Sequence, residues 1–406
     1  MSEREDKALV IAAKSKLIKK GSKWHVPSAS GYAPYYEVDP NPDAPHCTCP
    51  DFEKRQERCK HIFAVEIVIE RESSTTTTTK TPDGTTITTT ETVKIRYKQM
   101  WTAYNSAQTN EKAHFLTLLH ELCSGIDEPI QTTGRTRIPM ADMIFAAVYK
   151  VYSTVSTRRF MSDLKEAYHR RLISKIPCYN SIINYLEHED ITPYLQYLIM
   201  RSALPLKAVE TQFAVDASGF STCEYVRWFD EKYGKEKSQK DWVKAHIMCG
   251  VTTNIVTAVE VSGAHDHDTN FFPALFNETA KRFNVEEVSA DAAYSSYANH
   301  RLVDNKGAVP YIDFKEGSTD TGKCAIWNKM FHYYSAFRDQ FMAHYHKRSN
   351  VESTFSMVKA KFGGSIRSKL PVAQVNEILC KFLAHNLCCL IQSSYELGIQ
   401  ATFWND

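Results

Sequence analysis

The chain has 406 residues, 43% hydrophobic and 24% charged, which is the profile of a globular protein of two or three domains. Lys and Arg number 49 against 47 Asp and Glu, and a net charge of +2 says nothing by itself about nucleic acid. No apolar run of roughly 18 residues occurs and the N-terminal MSEREDKALVIAAKSKLIKK lacks an apolar signal core, so neither a membrane span nor a secretory leader is expected. Eleven cysteines are scattered rather than evenly framed, which points to a reducing compartment with one metal site rather than a disulfide scaffold.

Residues 1–70 read as a small compact unit. Within it, PHCTCPDFEKRQERCKHIFAVEI spaces Cys47, Cys49, Cys59 and His61 as C-x-C-x9-C-x-H. Three thiolates and an imidazole suit a tetrahedral Zn²⁺ site with no open position, hence a structural one. The following IFAVEIVIE reads as a helix that buries one face, and a domain this small gains much of its folding energy from the metal. This stretch resembles the SWIM-type zinc finger over about residues 24–68, including WHVPS, YYEVDP and CKHIFAVE. Such fingers are associated with DNA or protein contacts. Lys54, Arg55, Arg58 and Lys60 are offset here by Asp51, Glu53 and Glu57, so the partner is left open.

Residues 71–96 are Thr-rich and read as a linker, although threonine also permits an extended strand. Residues 97–204 read as mostly helical, from the apolar spacing in EKAHFLTLLHELC, ADMIFAAVYKVYSTVS and CYNSIINYLEHE. A basic run, RRFMSDLKEAYHRRLISK at 158–175, carries six Lys or Arg against two acids. It is either a solvated helix face or part of a helix-turn-helix-like DNA reader, and the region is expected to bind DNA.

From residue 205 to 395 strands and helices mix, implying an α/β layered domain. FAVD ends an apolar strand at Asp216, and EVSAD ends another at Asp291. Taken singly, each acid also reads as a helix cap or a turn residue. A helical tract follows from about 330 to 362. In it Tyr345, Arg348, Glu352 and Lys359 fall at offsets 0, 3, 7 and 14, on one helix stripe, with Val351, Phe355 and Val358 opposite. Arg348 and Glu352 are also an ordinary i,i+4 pair. The apolar tract 371–397 reads as a packed terminal helix. Trp228, Trp242 and Trp327 are expected in cores. SGAHDHDTNFF, with His265, Asp266, His267 and Asp268, is either a polar turn with a helix cap or a further metal site.

Three carboxylates on two strand ends and a helix fit phosphoryl transfer with two Mg²⁺ or Mn²⁺ ions, which prefer oxygen ligands. A cation near Glu352 would contact the phosphate or steady its developing charge, and Tyr345 would stack on a base or bond a phosphate. No Ser-His-Asp spacing, Walker-type loop or dinucleotide glycine pattern competes. The stretch YHKRSNVESTFSMVK resembles the Y-(2)-R-(3)-E-(6)-K signature of cut-and-paste DDE insertion-sequence transposases, through Tyr345, Arg348, Glu352 and Lys359. FAVDASGFS resembles that family's first-Asp segment. SADAAYSSYANHRLVDNKGAVPYIDFK resembles its second-Asp segment, including the tyrosine shortly after.

The resemblance covers roughly residues 140–392. It implies a ribonuclease-H-like core, metal ligation by Asp216, Asp291 and Glu352, and terminal inverted repeats and target DNA as substrates. It also implies a homo-oligomeric synaptic complex and a cytoplasmic, nucleoid-associated setting in a prokaryotic host. A domesticated DNA-binding protein without transposition, or a two-metal hydrolytic nuclease, are the alternatives.

Overall fold

The computed structural model describes residues 3–15, 17–28, 34–41, 44–73, 78–80, 86–88, 100–134, 136–222 and 242–404. They form two compact units: residues 1–98 with 316–344, and residues 99–315 with 345–406. Residues 316–344 interrupt the 205–395 stretch in sequence, yet they cluster with the N-terminal unit.

The smaller unit is built on a four-stranded antiparallel sheet, β1 (Ile18–Lys20), β2 (Lys23–Pro27), β3 (Tyr35–Asp39) and β4 (His46–Cys47), in sequential order. Alternation in β2 and β3 turns Trp24, Val26, Tyr36 and Val38 inward. They meet Ala8 and Ala12 of α1 (Glu3–Lys14), Phe52 of α2 (Pro50–Arg55), and Ile62, Val65 and Val68 of α3 (Lys60–Ser73). The apolar run after His61 is therefore a one-faced helix, as its spacing implies. In the Thr-rich stretch, β5 (Thr78–Lys80) and β6 (Thr86–Thr88) pair antiparallel, so threonine's strand propensity is expressed there; the rest of 74–99 lies outside the described residues.

The larger unit begins with five helices: α4 (Trp101–Ser124), α5 (Met140–Ser153), α6 (Thr157–His169), α7 (Tyr179–Leu186) and α8 (Ile191–Ala203). In α6, Ser156 caps the N-terminus, Phe160, Leu164 and Ala167 are buried, and Arg158 and Arg159 remain exposed. A five-stranded sheet follows, from β7 (Gln212–Ser221), β8 (Trp242–Gly250), β9 (Val256–Gly263), β10 (Glu287–Ala290) and β11 (Val309–Ile312), in the order β11-β10-β7-β8-β9. β11, β10 and β7 run parallel, whereas β7, β8 and β9 are antiparallel. This mixed sheet with flanking helices is consistent with a ribonuclease-H-like core.

Helix α9 (Phe272–Ala280) packs on β9 and β8, and α10 (Tyr297–Asp304) packs on β11. The expected tract from 330 to 362 is broken into α11 (Ala325–Ala336), α12 (Arg338–Tyr345), a 3-10 turn at His346–Arg348 and α13 (Ser349–Phe362). Helix α11 packs on α1 and α3 within the smaller unit. The terminal helix α14 (Pro371–Leu397) packs against α4, α5 and α8, and Gly398 closes it in the left-handed region at φ 69°.

Two of the polar groups buried by this packing, Asn386 and Glu210, bond several partners each. Asn386 on α14 accepts from the Val256 amide and donates to Val256 O, Ile199 O and Ser202 Oγ. Glu210 is fully buried and accepts from the amides of Thr252 and Thr253 and from Thr253 Oγ1, fixing the β8–β9 turn. A Cβ at Gly250 would sit 2.3 Å from Glu210 Cδ, so glycine is required beside that acid. Among the described residues no helix is long and apolar enough to cross a membrane.

Candidate active site and metal centre

Cys47, Cys49, Cys59 and His61 come together as the sequence spacing implies. Their four ligating atoms all lie within 4.8 Å of one another and all four residues are buried. Cys47 ends β4, Cys49 is the N-cap of α2, and Cys59 and His61 flank the start of α3. The Thr48 amide donates to Glu37 O and the Glu37 amide donates to Thr48 Oγ1, so the C-x-C corner is fixed to β3. His61 Nδ1 lies 3.9 Å from the sulfurs of both Cys47 and Cys59. A tetrahedron with ordinary zinc bond lengths needs roughly 3.5 Å, so a small contraction suffices. Cys47 is held up by donating to its thiol neighbours, while Cys49 is held down by accepting from them. Together the four residues form a dense, buried donor set that could coordinate a structural Zn²⁺, the arrangement a closed tetrahedral site requires.

The carboxylates belong to the larger unit. Val215 on β7 is level with Ala290 on the parallel strand β10, so the next residues, Asp216 and Asp291, emerge side by side. Asp291 follows its strand, as expected, and its Oδ1 accepts from the Ala293 amide at 2.9 Å, capping a short 3-10 turn. The cap reading is correct for Asp291 as well. Asp216 differs from expectation: it does not end its strand. β7 continues to Ser221 because β8 remains paired with it as far as Trp242. What ends at Val215 is the parallel ladder with β10, and that exposes one edge beside Asp216.

Helix α13 covers β7 and β8 and buries Val351, Phe355, Val358 and Phe362. The stripe is correspondingly presented, but it is not one continuous α-helix, since Tyr345 ends α12 and Arg348 ends the 3-10 turn. Arg348 donates from Nη1 to Asp216 Oδ2 at 2.9 Å and from Nη2 to Glu352 Oε1. Its guanidinium also lies 5.9 Å from the Tyr345 ring centre. Lys359 donates to Ser218 Oγ at 2.7 Å and lies over the ring of Phe220. All four stripe residues thus converge on β7 or on one another.

Burial pushes the Asp216 carboxyl up to about 6; the Ala217 amide and Arg348 oppose this, and the charges of Asp291 and Glu352 add to it. Asp291 and Glu352 therefore act electrostatically on Asp216. The three acids are not drawn to ligand spacing: among the described residues the only such group of three or more is the cysteine-histidine set. Arg348 stands as the counter-cation between Asp216 and Glu352. Behind them, Tyr294 is fully buried, its hydroxyl has no hydrogen-bond partner among the described residues, and burial followed by the charges of Asp216, Asp268 and Asp291 raises it.

The SGAHDHDTNFF segment is a turn, and among the described residues it does not form a group at metal-ligand spacing. Asp266 accepts from the Gly263 amide, and Asp268 pairs with Lys244 at 2.8 Å and lies 3.7 Å from His246. Burial lowers His246 to about 4, and it stacks on Phe271, so it is neutral and structural. Trp327 is buried as expected; Trp242, the first residue of β8, is 40% exposed; Trp228 lies outside the described residues. Sequence reasoning missed Ser218 and Lys244. The period of two along β7 puts Ser218 on the face of Asp216, a signal lost once the strand is ended at the acid.

No solved structure matches the chain. The family model described as the SWIM zinc finger matches residues 36–70, which hold the cysteine-histidine set. The family model described as the transposase DDE domain matches residues 207–387, and these hold Asp216, Asp291, Glu352 and the rest of the stripe. The helices before residue 207 lie outside that match. The chain thus carries a region similar to a transposase DDE domain behind a SWIM zinc finger, which is consistent with a DNA-transposase-like, phosphoryl-transferring function.

Proposed function

We propose that the protein is a DNA transposase that cuts strands at the terminal inverted repeats of a mobile element and joins them to target DNA. The observation that carries this is the level placement of Asp216 and Asp291 on parallel strands, with Glu352 tied to Asp216 through Arg348. The oxygen donors suit Mg²⁺ or Mn²⁺, and an acid raised first by burial and then by two like charges is one that a cation would stabilise. Asp216, Asp291 and Glu352 would hold two such ions, which when bound activate the attacking oxygen and stabilise the leaving one. Arg348 then has donors available for a phosphate oxygen, and its five N–H groups permit this without wholly releasing the acids. Lys359, held at Ser218, adds positive charge along the same strand. Tyr345 presents a half-buried ring at the edge of the set.

The Cys₃His set would hold one structural Zn²⁺ and stabilise the smaller unit. The helices of 97–204 would supply DNA contacts, and a multimer would bring two element ends together. The test is an assay with a labelled terminal-repeat duplex and Mg²⁺ or Mn²⁺, comparing wild type with D216N, D291N and E352Q. Loss of both cutting and joining in each variant is expected. Joining by the variants at the wild-type rate would sink the assignment.

A further inference from the structure

A second feature of the larger unit lies away from the carboxylates. It is a cavity of about 640 Å³ walled by α5, the starts of α6 and α7, and the segment after α13, and among the described residues no acid lines it. Four cations face it: Lys150, Arg158, Arg367 and Lys369. Lys150 lies at its base and is only 9% exposed, yet among the described residues its ammonium has no hydrogen-bond or ion-pair partner. Glu377 acts on it at a distance, but that carboxylate accepts from the amides of Arg367 and Ser368. A buried, uncompensated ammonium is costly unless an anion joins it. Arg158, Arg367 and Lys369 are exposed at the rim. Arg158 stacks 4.9 Å over the Tyr179 ring, and Arg367 uses one Nη1 donor on Val155 O, which leaves most of its N–H groups to face outward.

The place of the cavity along β7 suggests what fills it. Thr222, which lines it, directly follows that strand, and Asp216 lies six residues earlier. At about 3.3 Å per residue this is roughly 20 Å. A DNA strand carries a phosphate per about 3.4 Å of helix axis, so this span matches about six nucleotides.

We infer that this cavity is an anchor for the DNA backbone, where Lys150, Arg158, Arg367 and Lys369 hold phosphates about six nucleotides from the one at Asp216. It rests on the reading of Asp216, Asp291 and Glu352 as a DNA-cutting site. Such contacts are blind to sequence and position the duplex rather than read it.

The test uses the full-length zinc-loaded protein and a random-sequence duplex of about 30 base pairs, with binding followed by anisotropy over roughly 50 to 300 mM salt. Replacing the three exposed rim residues together, Arg158→Gln, Arg367→Gln and Lys369→Gln, should make the log–log salt slope shallower by about 3, and Lys150→Met by about 1. An unchanged slope in the rim variant, folded by circular dichroism, overturns the anchor. So does loss of competition by inorganic phosphate with DNA binding intact, which would mark a free-anion site. Nicking of supercoiled plasmid with Mn²⁺, run in parallel, reads the carboxylates separately: its absence from wild type overturns the catalytic reading, whatever the slope.

Discussion

Replacing Asp216 with Asn should make the metal-free protein more stable at about pH 8, although it removes an ion pair. The folded carboxyl titrates at about 6 against an ordinary value of 3.8, and its side chain is only 18% exposed. The sign follows from proton binding. Between about pH 4 and 6 the folded chain keeps a proton that the unfolded chain has lost, so stability falls as pH rises through that window and levels off above it. The shift of 6 minus 3.8 corresponds to ~3 kcal/mol at most, and Asn removes that penalty. Arg348 retains Glu352, so the guanidinium is not stranded. A unit of this size gains about 2 °C per kcal/mol, hence a rise of at most roughly 6 °C. Thermal unfolding in chelator, read at about pH 4 and about pH 8, measures it, and the two proteins should converge at the lower pH. A D216N protein that melts below wild type at the higher pH would refute the reasoning, because the charge would then be stabilising.

Arg348→Ala should raise the Asp216 carboxyl beyond about 6, since a neighbouring cation that lowers it is lost. Divalent-metal stabilisation, followed by melting against pH, should then begin at higher pH than in wild type. Asn386→Ala should cost about 1–3 kcal/mol, because it takes the acceptor from the buried Val256 amide and removes the donors to Val256 O, Ile199 O and Ser202 Oγ; denaturant unfolding measures it. Cys47→Ser and Cys59→Ser should each lose bound zinc, by mass spectrometry, and expose the smaller unit to protease, while Cys178→Ser should retain it.

Local patterns in the sequence carry much of this structure. The C-x-C-x9-C-x-H spacing is legible because all four ligands lie within one short hairpin and two helix starts. Helix α14 and the α13 face are legible from apolar spacing. The strand β8 is not, since it carries Lys244 and His246 on one face; their partner Asp268 lies more than twenty residues on, so the pairing is non-local. The extent of β7 is hidden for the same reason: its continuation past Asp216 depends on that unseen strand. The break in the stripe at His346–Arg348 is invisible to spacing, because offsets of three fit either helix type. The Lys150 cavity has no local signature, since its cations come from three separate segments.

The claim that Asp216, Asp291 and Glu352 share a divalent-metal site is tested most directly by iron-directed cleavage of the protein itself. Fe²⁺ replaces Mg²⁺ in the zinc-loaded chain, and ascorbate and peroxide then generate radicals that cut the backbone beside the bound ion. Cuts should cluster at the ends of β7 and β10 and at the start of α13, be suppressed by excess Mg²⁺, and vanish in D216N. Cuts confined to other segments, or a pattern unchanged in D216N, would contradict the shared site.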